Sequence, residues 1–239
     1  MKTLSTFAIV ILAAATACMG PAHADTVYSN INPGDSFGPG IAIGLVPFTG
    51  TFNYAGVGFT PGQNYDLDSL EMAVSLSSGP NVLDVYVMSS LGGLPDQVLE
   101  SFALANELTP VPAAGLVTID SIVHPELDAG QQYWVVAAGG PATFAFWQQN
   151  VDGIEGPNVS GASLTTLVRD SDSNVIEALD VNGTAVPEPR NAMLVAGALL
   201  LGLAYRNRKG GGRCRAQTRI TELKPNVLKP AQRRDTYRY

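Results

Sequence analysis

The residues in this chain best equipped for chemistry are oxygen ligands. Asp170-Ser171-Asp172-Ser173-Asn174 alternates side-chain oxygens as a calcium loop does at its start. A helix–loop–helix calcium site would then want Gly at the sixth position and Glu at the twelfth. Here those are Val175 and Val181, so the segment is expected to be a polar hairpin turn. No cofactor is expected, with weak calcium binding left open there or between Asp66 and Asp68. His124, in Ile122-Val123-His124-Pro125, has only His23 as a fellow histidine, and no cysteine lies between Cys18 and Cys214. A metal or catalytic role needs partners, so His124 is expected to be a turn residue with a satisfied hydrogen bond.

No nucleophile elbow, phosphate loop or zinc-ligand spacing appears. Carboxylates are plentiful, so a pair for glycoside hydrolysis is not excluded, but none has a recognisable setting. The expectation is no enzyme, with a secreted hydrolase as one alternative. Aromatic residues concentrate at Tyr133-Trp134 and Phe144-Ala145-Phe146-Trp147. Trp134 and Trp147 are the candidate ligand platform, because aromatic rings on a sheet face can stack on sugars. Core filling is the stronger expectation, with Phe144 and Phe146 sharing one strand face. Asn158-Val159-Ser160 and Asn182-Gly183-Thr184 match the glycosylation sequon.

The elements that must position these residues read as short strands. Leu70, Met72, Val74 and Leu76 alternate with Glu71, Ala73, Ser75 and Ser77, which is period two. Ser78-Gly79-Pro80-Asn81 breaks the pattern, and a second strand over 82–88 carries Leu83, Val85 and Val87 on one face. The spacing predicts a hairpin between these two strands. Gly92-Gly93-Leu94-Pro95 reads as a turn. Further strands are expected over 98–104, where a short helix is the alternative, and over 116–123, 133–138, 143–148, 164–169 and 175–181. Weaker ones fall over 26–31, 41–46 and 51–59. No sustained 3.6-residue apolar period interrupts them. The fold expected for 25–184 is one all-β domain, an antiparallel β-sandwich or jelly roll. Its acidic residues should lie mostly at turns and on polar faces.

Charge divides the chain. Of its 239 residues, the stretch 25–189 holds 19 acidic residues against the single basic Arg169, a net −18. Residues 190–239 hold 12 Lys and Arg against Glu222 and Asp235, a net +10. So sharp a split implies two environments. The acidic part should repel nucleic acid. The basic part follows an apolar run, where the positive-inside rule expects the cytoplasmic face of a membrane.

Both ends carry handling signals. Lys2, an apolar stretch over 7–17 and Pro21-Ala22-His23-Ala24 give residues 1–24 the form of a signal peptide, with a signal helix and cleavage directed by Ala22 and Ala24. A lipoprotein at Cys18 and an uncleaved anchor are weaker alternatives. Near the other end, residues 192–205 form an apolar run. As a helix the 14 residues would rise roughly 21 Å, short of a hydrocarbon core of about 30 Å. That length suits a transient membrane stop. Pro187 and Pro189 hold the preceding chain extended, as a processing enzyme needs. A buried C-terminal helix of the globular domain is the bland alternative.

Val186-Pro187-Glu188-Pro189, the apolar Gly/Ala/Leu stretch and then Arg206-Asn207-Arg208-Lys209 together resemble the PEP-CTERM sorting signal of Gram-negative bacteria. The resemblance implies recognition by exosortase, a membrane cysteine protease/transpeptidase acting near the Pro-Glu-Pro. It also implies export to the outer surface, often alongside exopolysaccharide and biofilm. More weakly, Gly92-Gly93-Leu94-Pro95-Asp96-Gln97-Val98-Leu99, Leu127-Asp128-Ala129-Gly130-Gln131-Gln132-Tyr133-Trp134 and Leu179-Asp180-Val181-Asn182-Gly183 are similar to segments of exported β-sandwich regions found with such anchors. The family has no single activity, so what the resemblance implies is a fold and an address. Two departures stand out. Arg190 follows the motif directly, and 30 residues follow Lys209. That basic tail, 210–239, is expected to be disordered, either a read-through artefact or a cytoplasmic tail that binds anionic lipid.

The expectation is thus an exported, non-enzymatic surface or matrix protein. Pro187, Glu188 and Pro189 would be recognised, 192–205 would hold the membrane until processing, and Arg206, Arg208 and Lys209 would orient the segment. Its partners would be the secretion machinery, exosortase and extracellular polysaccharide, with no nucleic acid. It would dwell briefly at the inner membrane and then at the outer surface or in the matrix. A surface carbohydrate-binding module is the alternative of a different class.

Overall fold

The structure, a computed structural model, describes residues 24–31, 33–34 and 36–186. The chain divides after Glu188 into two units, and all described residues belong to the first. Ala22, Pro187, Glu188, Pro189, Arg206, Arg208 and Lys209 lie outside the described residues, as do the expected signal helix, apolar helix and tail.

The described part is all-β. Its strands are β1 (Ala24–Ser29), β2 (Phe37–Val46), β3 (Thr51–Phe59), β4 (Tyr65–Ser78), β5 (Val82–Leu91), β6 (Leu94–Ala105) and β7 (Thr109–Pro110). They continue with β8 (Gly115–Asp120), β9 (Glu126–Leu127), β10 (Tyr133–Gly139), β11 (Phe144–Asn150), β12 (Asn158–Gly161), β13 (Val168–Arg169) and β14 (Leu179–Ala185). Neighbours run β1-β14-β4-β11-β2-β3-β10-β5-β6. The short β7, β8 and β9 pair with β4, while β12 joins β3 and carries β13. Pairing is antiparallel throughout, apart from the two-residue β4–β7 contact.

The sheet curls so that its two halves share one core. Leu70, Met72, Trp147 and Leu179 from the β14-β4-β11 half lie in the same buried cluster as Val57, Val85 and Val135 from the β3-β10-β5 half. Alternation supplies these faces: Leu70, Met72 and Val74 of β4 point inward while Glu71 does not. A bulge resets the phase. Between Leu67↔Gly183 and Ser69↔Asn182 the register shifts, so Leu67 and Leu70 both face the core and Asp68 is left outside.

The expected hairpin between the strands over 70–77 and 82–88 does not form. β4 pairs with β14, β11 and β8, whereas β5 pairs with β10 and β6. The Gly-Pro segment carries the chain from one half of the sheet to the other. Both strands have a fully apolar inner face, and facing each other across the core buries more of it than lying side by side. The hairpin is instead β5–β6. Leu91 pairs with Leu94 across Gly92 and Gly93, whose φ angles of 63° and 81° suit a two-residue primed turn.

Gly44 marks the corner where β2 leaves one half for the other. It opposes Phe144 of β11 on one side and Asn53 of β3 on the other. Its φ is +83°, and a Cβ there would collide with the Thr143 carbonyl oxygen and lie 2.9 Å from Gly139 Cα. Only glycine satisfies both demands.

Candidate functional site

The two tryptophans are no ligand platform. Trp134 and Trp147 are both 0% exposed. Trp147 points into the main core and donates its indole N–H to the Ala178 carbonyl at 2.9 Å. Trp134 lies on the opposite sheet face, under a second apolar cluster with Met88, Val136, Val159 and Leu167, and donates to Ser90 Oγ at 3.2 Å. The segment containing β12 and β13 folds over that face and removes the ring from solvent. Nor do Phe144 and Phe146 fill the main core. Ala145 and Trp147 take the inward positions of β11, and the two phenylalanines pack against each other, tilted by 59°, with centroids 5.0 Å apart.

His124 sits in a turn, with a left-handed φ of 51°. Its Nδ1 lies 2.8 Å from the Leu67 carbonyl oxygen and 3.8 Å from Asp68 Oδ1. Asp68 also accepts from the Thr184 hydroxyl at 2.7 Å. The histidine therefore has its hydrogen bond. Among the described residues, no three His, Cys, Asp or Glu side chains are placed to share a metal.

Sequence reasoning missed Glu100, which is 5% exposed. It lies on β6, at one end of the strand path, with its side chain turned inward beside Phe102. One carboxylate oxygen accepts from the Ser121 hydroxyl at 2.6 Å. The other accepts the backbone N–H groups of Ile122 and Val123, at 2.7 and 2.9 Å. Ser121 in turn accepts the His124 N–H at 2.9 Å. Burial alone would raise the Glu100 pKa. The hydrogen bonds from Ser121, Ile122 and Val123, with the nearby His124, outweigh it and hold the carboxyl below its ordinary value. Ser121 follows β8, which pairs with β4 in the other half of the sheet, so this cluster clasps the two halves. It is not a catalytic triad, because the serine hydroxyl faces the carboxylate and not the imidazole. Glu100 also ends the strand expected over 116–123 early, at Asp120, by drawing the next backbone N–H groups to itself.

A second interior polar group gathers around Glu177, which is 1% exposed. Burial pushes its carboxyl up to about 7, its own backbone N–H works against this, and the charge of Asp170 adds to the rise. Tyr28 lies close enough that Asp180 and Glu177 reinforce the rise that burial imposes on its phenol, to about 12. Asn30 stitches this corner to the sheet: it donates to the Glu177 carbonyl at 2.8 Å and accepts the Leu179 N–H at 2.6 Å.

The acidic turn does not act as a five-ligand loop. Arg169 makes two 2.9 Å bonds to Asp172, and the Ser171 and Ser173 hydroxyls pair with each other at 2.6 Å. Asp170, at the edge of the turn, lies near enough to Glu177 for its charge to add to the rise of that carboxyl. Its N–H donates to the Asn158 carbonyl at 3.0 Å.

The ends of the described domain lie together. Ala24 opposes Thr184 in the β1–β14 pair, and the Val186 N–H donates to the Asn64 carbonyl at 2.9 Å. No protein-family model matches the chain, and no curated protein matches it in sequence.

Proposed function

We propose that this chain is an exported, non-enzymatic cell-surface or extracellular-matrix protein of a Gram-negative bacterium, sorted by exosortase and linked to exopolysaccharide and biofilm. The observation that carries this reading is the sequence order: leader, acidic β domain, Pro187-Glu188-Pro189, apolar run and basic cluster. Ala22 and Ala24 direct removal of the leader. The run over 192–205 holds the precursor at the membrane, and Arg206, Arg208 and Lys209 set its orientation. The finer architecture in this reading is a β-sandwich of the jelly-roll type.

The domain geometry supports the same account. The expected cleavage point, after Ala24, stands opposite Thr184, three residues before Pro187. Both handling segments therefore attach at one end of a single strand pair. Cleavage after Ala24 leaves β1 its partners from Asp25↔Gly183 to Ser29↔Asp180, so processing at either end spares the fold. The test is cell fractionation of Pro187→Ala/Pro189→Ala. Retention of the variant in the inner membrane, with wild type at the outer surface, supports the proposal; identical distribution counts against it.

A further inference from the structure

Among the described residues, two side-chain oxygens are buried without any hydrogen-bond partner: Asn158 Oδ1 and Glu177 Oε2. Their residues are 3% and 1% exposed. A buried acceptor left bare costs about 1–3 kcal/mol, and native folds rarely leave one so. Asn158 Oδ1 is an acceptor, and so is Glu177 Oε2 once its carboxyl is ionised, as at pH 8, so what each then lacks is a donor or a cation.

The two belong to one neighbourhood. On β12, Val159 faces the outer cluster, so Asn158 faces the inner side, like Val57 opposite it. Phe59, one inward position along β3 from Val57, packs on Tyr28 with centroids 6.1 Å apart. Tyr28 feels the Glu177 charge, and Asp170, whose N–H bonds the Asn158 carbonyl, lies near enough for its charge to act on Glu177. The Asp170 carboxylate has no hydrogen bond to any described residue. Among the described residues no Lys or Arg is at hand. Arg169 is the one Lys or Arg in the described stretch, and it is turned to the exposed Asp172.

We propose that Glu177, Asp170 and Asn158 form a site for a hard divalent cation, best fitted by calcium, at the interior end of β12 and β14. The donors are all oxygen, two of them carboxylates whose charges a divalent ion neutralises. Zinc would want nitrogen or sulfur ligands. Magnesium demands a near-ideal octahedron, whereas calcium accepts irregular sets of six to eight oxygens, including amides, carbonyls and water. Water alone would satisfy the orphan acceptors without offsetting the paired negative charge.

The experiment titrates calcium into the full chain, first stripped with chelator, at pH 8. Thermal melting and tryptophan emission are followed together, since one of the two indoles, Trp147, is bonded to the carbonyl next to Glu177. Wild type and Asp172→Asn, which alters only the exposed pair, should gain about 5 °C at a hundredfold excess over the dissociation constant. Glu177→Gln should bind at least about tenfold more weakly. If Glu177→Gln does not fold in chelator, Asp170→Asn carries the same comparison. No response of wild type up to about 10 mM calcium, beyond the range of extracellular modules, would overturn the proposal. So would a response undiminished in the interior variant, which would mean adventitious binding to surface carboxylates.

Discussion

Glu100 accepts a 2.6 Å hydrogen bond from the Ser121 hydroxyl, joining β6 in one half of the sheet to the turn that follows β8 in the other. Ile122 and Val123 are 84% and 64% exposed, so apolar contacts do little to hold that turn. The carboxylate holds it through their backbones.

Glu100→Ala should therefore strand the Ser121 hydroxyl and two N–H groups, at a cost of about 3 kcal/mol in urea unfolding. Amide exchange at Ile122 and Val123 should accelerate more than elsewhere. A folded pKa below the ordinary value means this stabilisation is complete above the usual carboxylate range and lost as pH falls through the folded value. Urea midpoints measured downward from pH 6 should show the loss in wild type and not in the variant.

Glu177 should behave in the opposite sense. With its carboxyl raised from 4.5 to about 7, the folded state of the metal-free protein holds a proton that the unfolded chain releases. Stability falls as pH rises from the unfolded value through the folded one. Asp170 and Tyr28 lie near this group, and neither offers a positive charge. In chelator at pH 8, Glu177→Gln should raise stability by about 3 kcal/mol, with no gain at pH 4. Urea melts at the two pH values check this.

Gly44→Ala should fail to fold or lose more than about 3 kcal/mol, because it combines a left-handed backbone with a collision at Thr143. Gly62→Ala, where a Cβ meets nothing within 4 Å, is the matched control and should fold normally. Circular dichroism and thermal melting compare the two.

Two buried indoles, the only tryptophans in the chain, predict emission well to the blue of free tryptophan and negligible iodide quenching. Emission at the free-indole wavelength with strong quenching would contradict the core placement.

Much of this was legible in the strand pattern. The inner faces of β4 and β5 follow from alternation of large apolar residues, and the all-β class follows from turn clusters between short runs. Partner choice was not legible. β4 and β5 are adjacent in sequence and face each other across the core, a preference set by how much apolar face each arrangement buries. The bulge at Asp68 is a tertiary event without a local sign. The 164–169 run shrinks to Val168–Arg169 because it folds over Trp134. Glu100 and Glu177 did leave a trace. Glu100 shares inward parity with Phe102 and Leu104, and Glu177 with Leu179 and Val181, so each is a carboxylate where the strand calls for an apolar side chain. The expectation that acidic residues keep to turns and polar faces hid that signal.

The most direct test of the proposed sorting is the intact mass of the protein recovered from the native cell surface, wild type beside Pro187→Ala/Pro189→Ala. The account predicts a wild-type species that begins at Asp25 and ends near the Pro-Glu-Pro, and its loss in the variant. A species that keeps the C-terminal region in both would contradict it, leaving 190–239 as a permanent part of the protein.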